Sequence, residues 1–333
     1  MPTWGEILKE LSSHPNAQGR PDFDAIRRGY LTELAAHTGR DTILYATKWT
    51  QGGDVDPGKI SIVEEDVQGL MEVVRGLRSG KLDIVIHSPG GSPEATEAIV
   101  TYLRSRFEHI RLIVPQAAMS AATLLACACD EVVLGAHSSL GPIDPQMILP
   151  SRDTVQVFPA QAILDQFERA KEECKDPQLL GAWIPVLSHY GPALLMQCVN
   201  ALALAESLAS EWLAKWMLRA DPDGAAKAAK IAATLKDHTH FKSHARHISR
   251  EKAREMGFVV SDLESDQRLQ DLVLSIFHTS TQTFDGTPAV KLIENQHGRA
   301  FIKMQQQVAL QVPFPLMIPP QPQPNAPDGG QAN

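Results

Sequence analysis

The feature that most constrains the fold is an alternation of strand-forming and helix-forming segments that begins near residue 41. Four short runs rich in Ile, Val and Leu have the composition of buried strands: DTILYATKW, LDIVIHSP, IRLIVPQA and EVVLGA. Segments with helical spacing of apolar residues separate them, including IVEEDVQGLMEVVRGLRS and SPEATEAIVTYLRSRF. Because strands that alternate with helices form βαβ units, the sequence predicts an α/β fold with a mostly parallel sheet.

The chain divides into four parts around this pattern. Residues 1–40 are polar with helical spacing and predict a helical N-terminal arm, broken at SSHPNAQGRPD. Residues 41–265 contain the alternating core and then a mainly helical extension. Residues 266–311 predict a segment of helix and strand. Residues 312–333 are rich in Pro, Gln and Gly and predict a disordered tail, because such a composition buries too little apolar surface to fold.

Charge and cysteine content narrow the classes of function. The 31 basic and 39 acidic residues give a formal charge of −8, which disfavours binding to nucleic-acid phosphates and to anionic lipid. Four cysteines without a CxxC pair predict neither a disulfide framework nor a metal site. The N-terminal residues lack the apolar run of a signal peptide, and residues 181–205, although uncharged, are interrupted by Pro, Gly and polar residues. We expect a cytoplasmic protein with no cofactor, no nucleic-acid partner and no transmembrane segment.

Two turns in the core have features of a site for acyl transfer. The strand LDIVIHSP runs into Gly90 and Gly91 before a helix, a sharp turn that leaves backbone N–H groups unpaired, as in many oxyanion-binding sites. The next strand runs into QAAMSAATLLACA and places Ser120 where a helix begins. Consecutive parallel strands bring both turns to the carboxyl edge of the sheet. A serine at the start of a helix is ordinarily an N-cap, and a pair of glycines ordinarily forms a tight turn. The joint occurrence of the two features favours a catalytic site.

These motifs also resemble a known family. IHSPGGSPEATEAIV followed by VPQAAMSAATLLACACDEVVLGAHSSLGPIDPQ is similar to the superfamily of the Clp protease proteolytic subunit, the signal peptide peptidases and the crotonases, and most closely to the serine dehydrogenase proteinase family. The resemblance covers about residues 42–146 and extends more loosely to about residue 260. It implies a superhelical ββα core with a parallel sheet, a mainly helical C-terminal part, and a serine peptidase that acts on peptides or proteins through an acyl-enzyme.

The resemblance also implies roles for individual residues. Ser120 matches the nucleophile, and Gly90 or Gly91 with the amide of Ala121 matches the oxyanion hole. In the chain order Ser, Asp, His of the serine dehydrogenase proteinases, Asp144 in LGPIDPQ and a histidine in HARHISREKAREMG supply the other members, and the motif register favours His244. A plain turn-capping role for Asp144 stays open beside the catalytic one.

Several residues compete for the role of general base. His247, His240 and His238 lie close to His244 in the sequence, and any of them satisfies the chemical demand for a neutral imidazole near the serine. Signal peptide peptidases use a Ser-Lys dyad instead, which makes Lys171 and Lys175 further alternatives, although ERAKEECKD also has the pattern of a solvated helix face.

Two other functions compete with a peptidase. A crotonase-like enzyme acting on acyl-CoA has a similar oxyanion hole and does not need a serine nucleophile. A catalytically silent scaffold of the same fold would use its helices and Pro-rich tail to bind partners. Relatives in the superfamily usually form rings or dimer-built oligomers, so we expect a homo-oligomer.

Overall fold

The computed structural model describes residues 1–150 and 155–305. The strands are β1 (Asp41–Thr47), β2 (Lys81–His87), β3 (His109–Val114), β4 (Ala117–Ala118), β5 (Glu131–Leu134), β6 (Ser139–Leu140), β7 (Gln146–Pro150), β8 (Val155–Pro159), β9 (Ile248–Ser249), β10 (Val260–Asp262), β11 (Ala289–Asn295) and β12 (Ala300–Met304). The helices are α1 (Trp4–Ser13), α2 (Phe23–Thr38), α3 (Pro57–Ile60), α4 (Asp66–Val74), α5 (Pro93–Arg104), α6 (Ala121–Cys127), α7 (Ala160–Glu173), α8 (Pro177–Leu187), α9 (Leu194–Trp212), α10 (Gly224–Lys236), α11 (His238–Phe241), α12 (Arg250–Met256) and α13 (Gln267–Gly286).

A seven-stranded sheet forms the centre of the molecule, in the order β10-β5-β3-β2-β1-β11-β12. The first five strands are parallel, and β11 and β12 join antiparallel at one end. The four runs predicted as strands are β1, β2, β3 and β5. The predicted α/β fold, with a largely parallel sheet and a helical C-terminal part, is therefore confirmed.

Helices cover both faces of the sheet, which explains why its strands are almost continuously apolar. On β2, Ile84 and Ile86 pack towards α4, α5 and α6, whereas Val85 between them packs towards α2 and α13. The sequence predicted residues 1–40 as an arm. In the structure, Leu31 and Leu34 of α2 are fully buried in the second of these layers.

Three further regions lie outside the central sheet. A small sheet has the order β4-β6-β9, and β7 and β8 form a separate hairpin. Helix α9 packs along α10 and α7 and continues into a π-helical turn at Leu213–Met217. The tail predicted at 312–333 lies outside the described residues. Among residues 1–150 and 155–305, no helix is both long enough and apolar enough to cross a membrane.

The side chain of His87 at the end of β2 is buried between Trp49 and Phe277, with ring centroids 5.4 and 5.0 Å away. Burial lowers the pKa of this imidazole from 6.5 to about 3. Because the pKa in the unfolded chain is about 6.5, the unfolded state binds more protons between about pH 3 and pH 6.5. The contribution of a neutral His87 to stability is thus complete above pH 6.5 and is lost as the pH falls, at up to about 1.4 kcal/mol per pH unit.

We therefore expect His87→Phe to flatten the pH dependence of stability. The measurement is the free energy of unfolding by urea at intervals between about pH 4.5 and pH 7. His189→Phe, at an exposed histidine, is the matched control and should keep the wild-type slope. Equal slopes in all three proteins would show that His87 is not the group responsible.

Candidate active site

The turn after β2 is shaped by close contact with the backbone near Ser120. Gly90 has φ 97°, a conformation that favours glycine. A Cβ atom at Gly90 would lie 2.5 Å from the Met119 carbonyl oxygen and 2.7 Å from Ser120 Cβ. The side chain of Ser92 caps α5 by accepting a hydrogen bond from Ala95 N at 3.0 Å. Glycine at position 90 thus allows two consecutive βα turns to touch.

A short extended segment holds Gly91 on its other side. Ile62 N donates to Gly90 O at 2.7 Å, and Ser92 N donates to Ile62 O at 2.9 Å. A Cβ atom at Gly91 would overlap the backbone of Ile62. Within the described part of the chain, neither the Gly91 amide nor the Ala121 amide donates a hydrogen bond to a protein acceptor. Both N–H groups therefore remain available to a ligand.

A buried ion pair fixes this extended segment. Lys291 Nζ donates to Ser61 O at 2.7 Å and to both carboxylate oxygens of Asp66 at 2.8 and 2.7 Å. Asp66 also accepts from Val63 N at 3.0 Å. Burial lowers the pKa of the Lys291 ammonium to about 8, although the Asp66 carboxylate acts in the opposite direction. The support for the glycine turn thus comes from β11, far along the chain.

Ser120 lies between β4 and α6 in a strained backbone conformation, with φ 51° and ψ −119°. A positive φ is unfavourable for serine, and residues held in this way cluster at functional sites. The hydroxyl makes no capping bond to α6. The turn is held in place by Thr123, whose Oγ1 donates to Ala118 O at 2.8 Å and accepts from Gly141 N at 2.9 Å. Ser120 thus occupies the N-cap position of α6, but its side chain does not make the capping hydrogen bond considered from the sequence.

Asp144 is 1% exposed and accepts hydrogen bonds from two histidines. His244 Nδ1 lies 2.7 Å from Asp144 Oδ1, and His238 Nδ1 lies 3.0 Å from Asp144 Oδ2. Gln146 Nε2 also donates to Oδ2, at 2.9 Å. Because an ionised carboxylate only accepts, Nδ1 of each imidazole must carry the hydrogen. In a neutral His244, Nε2 then carries the lone pair of the ring, and it has no hydrogen-bond partner among the described residues.

The small sheet β4-β6-β9 brings these residues together. Ser120 follows β4, Asp144 follows β6, and His244 precedes β9. Strands β6 and β9 are antiparallel, with Leu140 opposite Ile248, so the segment after β6 and the segment before β9 lie at the same end of the sheet. Ser120 and His244, more than 120 positions apart in the chain, are thus both placed by this small sheet.

Ser120, His244 and the glycine turn line one cavity of about 560 Å³. Its other walls are mainly apolar, and one of them is formed by the β7–β8 hairpin. Representative wall residues are Leu124, Ile143, Met147, Ile148, Val157 and Leu204. In the described residues, no hydrogen bond joins Ser120 Oγ to the His244 ring. The absence of this bond does not exclude catalysis, because catalytic hydrogen bonds often form fully only with substrate bound.

The remaining candidate bases lie elsewhere. His247 Nδ1 contacts Ser139 Oγ at 2.9 Å, and His240 is exposed with its ring edge-on to Phe241. Lys171 and Lys175 are exposed on α7 and just after it, where they pair with Glu168 and Glu172 at 2.7 and 2.5 Å. None of these four side chains lines the cavity.

Two contacts of the site did not follow from the sequence. His238 was considered only as a rival base, and the density of histidines in DHTHFKSHARH was the only sequence signal for its contact with Asp144. The support of the glycine turn by Lys291 had no local signal, since 225 residues separate Lys291 from Asp66. In the described residues, no cluster of three or more His, Cys, Asp or Glu side chains is arranged to hold a metal ion.

Comparison with known proteins confirms the family resemblance for part of the chain. Residues 61–186 match the family model described as ClpP-like SDH-type serine proteinase. Two uncharacterized proteins of Methanocaldococcus jannaschii are each 32% identical, over 113 and 120 residues. These matches cover 33% and 36% of this chain and only 36% and 39% of the two relatives. The family match includes Gly90, Gly91, Ser120 and Asp144, whereas His244 lies beyond it.

Proposed function

We propose that this protein is a serine peptidase that hydrolyses peptide bonds through an acyl-enzyme on Ser120. One observation carries the proposal: Ser120, in a strained turn and without a capping bond, lines the same cavity as an imidazole whose Nδ1 is hydrogen-bonded to a buried carboxylate. A match to serine proteinases over residues 61–186 supports the same class of activity.

In the proposed mechanism, His244 Nε2 takes the proton of Ser120 Oγ as the oxygen attacks the scissile carbonyl carbon. Asp144 keeps the imidazole in the tautomer with hydrogen on Nδ1 and stabilises the imidazolium that forms. The imidazolium then gives the proton to the leaving amine as the C–N bond breaks. A water molecule, deprotonated by His244, attacks the resulting ester, and Ser120 recovers its proton as the carboxylic acid product leaves.

The unpaired amides of Gly91 and Ala121 are the proposed oxyanion hole. Both belong to turns that converge on Ser120, and neither has a protein acceptor within the described residues. Charge develops on the carbonyl oxygen of the substrate during attack, and preorganised N–H donors stabilise it without reorganisation. Gly90 supplies the close approach of the two turns.

Digestion of an unstructured protein tests this activity. Fluorescein-labelled casein should be cleaved to small fragments by the wild-type protein and should stay intact with Ser120→Ala. Binding of acetyl-CoA to a folded protein that leaves casein intact would favour the crotonase-like alternative. A folded protein with neither property would favour a silent scaffold.

We also propose that a second copy of this chain covers α8. This helix, PQLLGAWIPVL, has no charged and no buried residue, and Leu179, Leu180 and Ile184 are 41%, 45% and 59% exposed. An apolar helix needs a surface to pack against. The homo-oligomers expected from the resemblance would provide one.

Leu180→Glu combined with Ile184→Glu should therefore reduce the mass in solution from that of an oligomer to that of one chain, because two charges at an apolar contact cannot be buried without a partner. Light scattering after size exclusion measures this. Met71→Glu, at a methionine 56% exposed on α4, is the matched control and should leave the oligomer intact. Identical masses for wild type, double variant and control would contradict self-association through α8.

A further inference from the structure

Asp144 has more hydrogen-bond donors than its role towards His244 requires. His244 occupies Oδ1, and both His238 and Gln146 donate to Oδ2. The side chain of Asp144 is 1% exposed, so each unsatisfied lone pair of its carboxylate would cost free energy. In the described part of the chain, the only ionisable side chains in contact with this carboxylate are the two histidines.

His238 is held in place from both sides. It begins α11, which Asp237 caps by accepting from His240 N at 3.1 Å and which Phe241 anchors in the core. The segment before Asp144 is attached to the same region, because Ile143 N donates to Leu235 O at 2.9 Å. His238 thus connects the end of α10 and α11 to the segment that carries Asp144.

Two donors on Oδ2 also fix the rotation of the carboxylate. With Oδ2 occupied, Oδ1 is directed at His244 Nδ1, and the plane of the carboxylate cannot turn without breaking the bonds to His238 and Gln146. Orientation of a base by fixed neighbours is the way that active sites avoid reorganisation in the transition state. Without His238, Oδ2 would retain one of its two side-chain donors.

We propose that His238 is a positioning residue of the active site, which acts through Asp144 and makes a chain Ser120–His244–Asp144–His238. This inference rests on the proposed peptidase function. His238 transfers no proton in this mechanism. Its Nδ1–H holds Oδ2 while the proton of Ser120 moves to His244, and it draws part of the charge of Asp144 away from His244.

Variants at position 238 distinguish this role from a structural one. We expect His238→Ala to lower kcat for peptide hydrolysis about 10- to 100-fold at unchanged KM, the cost of a hydrogen bond to a charged group. The acidic limb of kcat/KM should move to higher pH, because more of the carboxylate charge then acts on His244. In His238→Asn the amide nitrogen occupies the place of Nδ1, so both kcat and the pH profile should return towards wild type. His240→Ala, on the same short helix but away from Asp144, should match wild type.

Failure of this inference can be told apart from failure of the proposed function. Hydrolysis that depends on Ser120, together with an unchanged kcat and pH profile in His238→Ala, would overturn the positioning role alone. If His238→Ala does not fold, His238→Asn and His238→Gln decide, since a glutamine amide lies near the place of Nε2 and cannot replace the Nδ1 donor. Lower kcat in His238→Gln than in His238→Asn supports the proposal, and equal kcat overturns it.

Discussion

Alanine at Ser120 should lower kcat for peptide hydrolysis by at least about 10⁴-fold, and alanine at His244 should have an effect of similar size, because nucleophile and base act as one unit in acyl transfer. The same reasoning makes the two changes strongly non-additive. The double variant should be no slower than the slower single variant, with a residual rate from the oxyanion hole and substrate binding alone.

Initial rates with a fluorogenic peptide, measured for wild type, both single variants and the double variant, test this. His247→Ala is the control, since its Nδ1 contacts Ser139 and its side chain does not line the cavity. If His247→Ala lowers kcat as much as His244→Ala does, the assignment of His244 as the base is wrong. Full activity of Ser120→Ala would show that hydrolysis does not pass through an acyl-enzyme on Ser120.

Gly90→Ala should lower kcat about 10²- to 10³-fold, the loss that follows when an oxyanion donor is displaced. The added methyl group would lie 2.7 Å from Ser120 Cβ and 2.8 Å from the Ala121 amide nitrogen. Neither atom can give way, because Cβ is attached to the strained backbone of Ser120 and the amide nitrogen is backbone at the first residue of α6. The methyl group must push the glycine turn away from Ser120.

Gly76→Ala separates this contact from backbone strain. Gly76 has φ 94°, close to the 97° of Gly90, but a Cβ atom there would meet nothing within 4 Å. Both variants should lose thermal stability because alanine disfavours this φ. Only Gly90→Ala should lose kcat per folded molecule. Equal specific activities of the two variants would show that the glycine turn does not serve catalysis.

The sequence was informative where the relevant signals are local. Strands β1, β2, β3 and β5 followed from apolar runs bounded by turn residues, and the pairing of two βα turns followed from their order in a parallel sheet. Ser120 and the glycine pair could be singled out for the same reason, since each sits at a strand-to-helix junction that the pattern locates.

Residues brought in by long-range packing could not be predicted in this way. Position 144 is 94 residues from His238 and 100 from His244, and neither spacing repeats a periodic pattern. The resemblance to the family favoured His244, and the structure places its Nδ1 2.7 Å from Asp144 Oδ1. Nothing in the register pointed to His238, or to Lys291 as the support of the segment beside Gly91. The exposed helix α8 was not predicted either, because the apolar composition of a helix does not tell which surface the helix packs against.

The most direct test of an activated Ser120 is covalent labelling by a fluorophosphonate, followed by intact-mass measurement and peptide mapping. The wild-type protein should gain one adduct, located on Ser120. Ser120→Ala should gain none, and His244→Ala should react far more slowly because the hydroxyl is then not deprotonated. A folded wild-type protein that stays unlabelled, or that carries the adduct on another residue, would contradict the assignment of Ser120 as the nucleophile.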